Sequence, residues 1–110
     1  MSNQPYTYIA NIVEPDQATP PDSIISRSLY SDKTLKSILF TFAPGQELSE
    51  HTSAQTALLY FVQGEADITL GDDKMTAQTG TWVHMQPHLP HSIVAKTQVV
   101  MLLQMFKTTE

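Results

Sequence analysis

At 110 residues, 41% of them hydrophobic, the chain carries enough apolar material for one core and fits a single domain, 1–110. A net charge of -5, with only six scattered Lys and Arg, argues against nucleic-acid binding, which needs clustered cations. No stretch approaches the length of a membrane span and no leader is read at the start; the absence of cysteine removes disulfides and thiolate metal sites, and a cytoplasmic location is expected.

Residues 1–6 are polar and expected to fray. Residues 7–13 (TYIANIV) are rich in β-branched and aromatic side chains and read as a first strand. Residues 14–22 hold three prolines and read as a loop. Strands are then expected over 23–30 and 34–42, the second stopped by Ala43-Pro44-Gly45. A short strand over 49–53 leads through Ala54-Gln55-Thr56 into 57–62 (ALLYFV). That nearly continuous apolar run suits a strand covered on both faces. Residues 65–70 alternate polar and apolar, and Gly71-Asp72-Asp73 is a strong hairpin turn. Strands at 74–78, 81–85, 91–95 and 98–106 complete the set. Nine or ten short strands, with no helical periodicity, argue for an all-β sandwich or barrel.

All four histidines fall in two stretches, 45–64 and 80–95. Strand alternation places His51 with Ser53 on one face, Ala57 with Leu59 and Phe61 on another, and His91 with Ile93 and Ala95 on a third. Glu50 then points away from His51. Met75, Met85, Met101 and Met105, with Phe61 and Trp82, read as packing. Gln104 is conspicuous in an otherwise apolar strand. No catalytic triad spacing and no phosphate-binding glycine loop is present.

The two stretches resemble the paired motifs of the cupin superfamily, and the chain is similar to small single-domain bacterial cupins with the RmlC-like jelly-roll. Gly45, His51 and Gly64 match the first motif, while Ser53 stands at its second histidine and Ala57 at its glutamate. Gly80 and His91 match the second motif. There Pro87 falls one residue late, His88 takes a turn position often held by glycine, and Ala95 stands where asparagine is common. The resemblance implies a double-stranded β-helix barrel with His51, Ser53, Ala57, Leu59, Phe61, Met85, His91 and Ile93 lining a ligand pocket, and Gln104 nearby. It also implies that His84 lies outside the barrel. Full cupin sites hold a divalent metal with three imidazoles and a carboxylate; this chain has lost one imidazole and the carboxylate. His51 and His91 remain, and His88 is the candidate third ligand.

Two function classes follow. One is a barrel that binds a small molecule, with a weak or absent site for nickel, copper or zinc, and with manganese or iron less suited. The other is a metal-dependent enzyme, dioxygenase- or isomerase-like, using His51, His91 and His88. Leu58, Tyr60 and Val62 lie opposite the pocket-lining set, so a homodimer that covers them is expected, with residues 7–13 as the alternative cover.

Overall fold

A computed structural model of the chain describes residues 4–13 and 19–107. Among them run nine strands: β1 (Ile24–Ser31), β2 (Leu35–Phe42), β3 (Glu47–His51), β4 (Thr56–Gln63), β5 (Ala66–Leu70), β6 (Asp73–Ala77), β7 (Trp82–Met85), β8 (His91–Ala95) and β9 (Val99–Phe106). They form two antiparallel sheets, one ordered β1-β2-β9-β4-β7 and the other β3-β8-β5-β6. Among the described residues no helix is long and apolar enough to cross a membrane.

The apolar run of β9 is explained by its position, because it pairs with β2 on one side and β4 on the other. Its two faces diverge. Val99 and Met101 enter the core, with Leu103 and Met105 packed against it, while Leu102 and Gln104 lie on the outer face of the sheet. Phe42, Leu59, Phe61, Ile68, Met85 and Ile93 fill the space between the sheets and are almost wholly buried. Each such side chain contributes about 1.5–3 kcal/mol by leaving water.

Turn chemistry closes the ladders. Leu70 pairs with Asp73 across the two-residue loop Gly71-Asp72, and Gly71 takes the positive φ of 63° that a primed hairpin turn needs. Gly64, between β4 and β5, has φ 101° and passes directly over Gln98 and Val99, leaving no room for a Cβ.

The expected strand over 7–13 does not form. Asn11 Oδ1 accepts the Val13 N–H at 3.0 Å and bends the chain, and the segment is held to β1 by Arg27 Nη2 donating to Ile12 O at 2.7 Å rather than by a ladder. Of the loop expected over 14–22, residues 14–18 lie outside the described residues; Asp22 turns the chain into β1 with φ 58°. β3 also differs, spanning Glu47–His51 instead of 49–53. Ser53 belongs to the loop, where its Oγ accepts the Gln55 N–H at 3.1 Å.

Both histidine-bearing stretches cross between the sheets. The first leaves β3 of the four-stranded sheet for β4 of the five-stranded one, and the second runs from β7 to β8 in the opposite sense. The two crossing loops are tied together, since His88 N–H donates to Ser53 O at 2.6 Å.

Candidate functional site at the barrel mouth

The interior is not equally filled along its length. Along β9, Val99 and Met101 are buried, whereas Leu103 and Met105 are partly exposed; along β2, Phe42 is buried, whereas Phe40 and Ile38 are not fully so. The barrel therefore closes at the Gly64 end and opens at the end where the two loops cross. His51 and His91 stand at that mouth.

A bulge sets the direction of His51. Leu48 pairs with Ile93 and His51 with His91, so three steps on β3 match two on β8. Without the extra residue, Leu48 and His51 would point to opposite sides. With it, Leu48 packs against the core and His51 also turns inward, as such bulges allow.

The two rings lie with centroids 4.1 Å apart and planes inclined at 58°. Each is pinned in the same way: His51 Nδ1–H donates to Ser49 O at 2.8 Å and His91 Nδ1–H to Leu89 O at 2.9 Å. A carbonyl oxygen only accepts, so Nδ1 carries a proton in both rings, and in the neutral form each Nε2 keeps its lone pair. His91 is 7% exposed and His51 is exposed. Burial pushes the His91 imidazolium below its usual 6.5; the bond to Leu89 O opposes this, and the nearby His51 ring adds to it.

The remaining expected site residues separate into three groups. Ala57, Leu59, Phe61, Met85 and Ile93 do share the interior with His91, but they are closely packed, with Leu59 and Met85 each 2% exposed. They form a floor rather than an open cavity, because a water-sized void would leave them accessible. Ser53 and His88 stand in the crossing loops. His88 adopts φ 71° and is exposed. Gln104 is not in the barrel: it lies on the outer face, where its Nε2 donates to Ser37 Oγ at 3.3 Å. Strand parity explains the difference, since Met105 and Leu103 take the inward positions on β9. His84 is exposed and pairs with Leu58 on the outer face.

Residues that the sequence pattern did not single out complete the mouth. Leu48, Leu70, Leu89 and Leu103 are partly buried against the core, and Leu70 pairs directly with His91. Of the methionines, Met85 and Met101 are core, but Met75 is exposed, as is Trp82 on the outer face at 61%.

As a metal site the donor set is short. Ala57 has no donor atom, and among the described residues no group of three or more His, Cys, Asp and Glu side chains is arranged to hold an ion. Open catalytic metal sites use three or more protein donors, so the residues present do not fit that role, and no reaction step is assigned to a metal.

Two antiparallel sheets closing on an inward histidine pair define a jelly-roll of the cupin type. The family model described as "Cupin domain" matches residues 38–105, and the chain belongs to that family. It is similar to the crystal structure of a cupin superfamily protein from Desulfitobacterium hafniense, with 26% identity over 84% of each chain and a TM-score of 0.79. It is also similar to a conserved protein from Streptococcus pyogenes, at 25% identity over 97% of this chain and 100% of the other, with a TM-score of 0.77. An RmlC-like cupin from Desulfovibrio desulfuricans shares the fold at 19% identity, over 91% and 97% of the two chains, with a TM-score of 0.80. No curated protein matches the sequence.

Proposed function

We propose that this cupin is a cytoplasmic, homodimeric binding protein of bacterial type, whose barrel mouth holds a small, partly apolar molecule. The observation that carries this reading is the opposed pair His51 and His91 at the barrel mouth, with both Nδ1–H groups occupied by backbone carbonyls, which leaves Nε2 of each ring for a ligand. In the neutral form each imidazole presents an Nε2 acceptor, so the matching ligand brings hydrogen-bond donors, as a phenol or an alcohol does, together with apolar surface for Leu89, Leu103 and Met105.

The same Nε2 pair has affinity for nickel, copper or zinc, but with two protein donors that affinity is weak. An enzyme built on His51, His91 and His88 needs His88 as a third ligand, and its exposed position in the Pro87–Pro90 loop does not support that.

Imidazole-detected NMR with p-cresol as the probe tests the binding reading. The His51 and His91 ring signals should move together and saturably, and His51→Ala should weaken the effect. Ring signals that stay fixed at millimolar probe would remove it.

A further inference from the structure

The larger sheet carries a second recess, on the face turned away from the histidines. Residues 4–12 cross that face without joining its ladder, and the groove left beneath them measures about 440 Å³. That volume lies within the range of small-molecule sites. Leu102 and the pair Ser37 and Gln104 form its floor, Tyr30 stands at its side, and Tyr6 and Ile9 border it from the crossing segment.

The floor is unusual in its chemistry. Ser37 and Gln104 are directly opposed in the β2–β9 register, between the apolar pairs Leu35–Phe106 and Leu39–Leu102 on the same face. Gln104 Nε2 donates to Ser37 Oγ at 3.3 Å, which leaves the Gln104 side-chain carbonyl and the Ser37 hydroxyl proton for a third group. Tyr30 is held in place from outside the groove. Its hydroxyl donates to Asp32 Oδ2 at 2.6 Å, and Asp32 Oδ1 in turn accepts the N–H groups of Thr34 and Leu35, both at 2.8 Å. In a chain of net charge -5, none of the described residues lining the groove is charged.

We propose that this groove is a second binding site, separate from the barrel mouth, for an uncharged and mostly apolar molecule with one hydroxyl or amide group. The polar pair supplies one acceptor and one donor at a fixed place, and the apolar floor and tyrosine rings supply the contact area. A charged ligand finds no counter-ion among the described lining residues and is disfavoured. Tyr60 and Phe106, the exposed register partners of Leu102 and Leu35, continue the same sheet face beside the groove.

N-phenyl-1-naphthylamine, uncharged and apolar with a single N–H, is the probe for a fluorescence titration of the full chain. Saturable binding of about one equivalent per chain is expected, weakened by about tenfold or more in Leu102→Trp, which fills the groove. Gln104→Leu, a smaller change that keeps the sheet face apolar, should weaken binding several-fold with an unchanged melting temperature. His51→Ala should leave probe affinity as it is. Binding that survives both groove variants but is lost in His51→Ala would place the probe in the barrel and overturn the proposal. So would a lack of saturable binding, including the case in which a second copy of the chain covers the groove.

Discussion

His51 and His91 are register partners across the β3–β8 ladder, and each donates its Nδ1–H to the carbonyl two residues before it. The pair is thus fixed in tautomer and in direction before any ligand arrives. That arrangement distinguishes this mouth from a pair of histidines satisfied by each other.

The first expectation concerns protonation of His91. Its folded-state value lies below 6.5, the unfolded value, so at mildly acidic pH the unfolded chain binds more protons. The stabilisation is fully present above pH 6.5 and is lost as pH falls from there through the lower folded value. Urea midpoints should drop across that window in the native protein, and this pH dependence should shrink in His91→Gln. An NMR titration that finds His91 titrating above 6.5 would contradict the burial argument.

Metal content follows from the donor count. Purified, untagged protein should carry clearly less than one equivalent of nickel, copper or zinc, removable by chelator. Substitution of either His51 or His91 should abolish residual binding, and His88→Ala should leave it in place. A full equivalent that survives chelator and disappears in His88→Ala would restore the enzyme reading.

Gly64 is the position most sensitive to a single methyl group. A Cβ there would overlap Gln98 O, approach Val99 Cα to 2.9 Å, and require a positive φ that alanine disfavours. Gly64→Ala should cost about 2–4 kcal/mol, because the obstruction is backbone and has nowhere to move. The measurement is chemical denaturation, and a loss below about 1 kcal/mol would show that the β4–β5 turn can shift.

The outer face of the larger sheet bears on oligomeric state. No Asp or Glu occurs on any of its five strands, while β3, β5 and β6 of the smaller sheet all carry acidic residues. Tyr60 and Trp82 are paired neighbours on that face and remain exposed. Residues 4–12 lie over the β1–β2–β9 side and border none of β4 or β7 in the groove they form. An apolar, acid-free face on an acidic chain can meet its own copy without like-charge repulsion. Light scattering should therefore give twice 12.3 kDa, and Trp82→Asp should return the single-chain mass without unfolding the protein. The native chain running at 12.3 kDa at micromolar concentration would rule this dimer out.

Most strands were legible in the sequence, because their evidence is local: β-branched runs, alternation, and turn residues such as Gly71-Asp72. Both histidine-bearing stretches were legible for the same reason, and the glycine and histidine spacings of Gly45, His51, Gly64, Gly80 and His91 led to the family. Three features were not local. Residues 7–13 have strand-like composition, but the Asn11 turn and the lack of a ladder partner leave them outside the sheet. Gln104 is polar in an apolar strand, and parity alone does not say which face of β9 meets the core; its neighbours β2 and β4 decide that. His51 turns inward only because β3 holds one more residue than β8 between Leu48 and His51. A strand's composition and period are properties of its own residues, whereas its register, its bulges and its inward face are set by the partner strand.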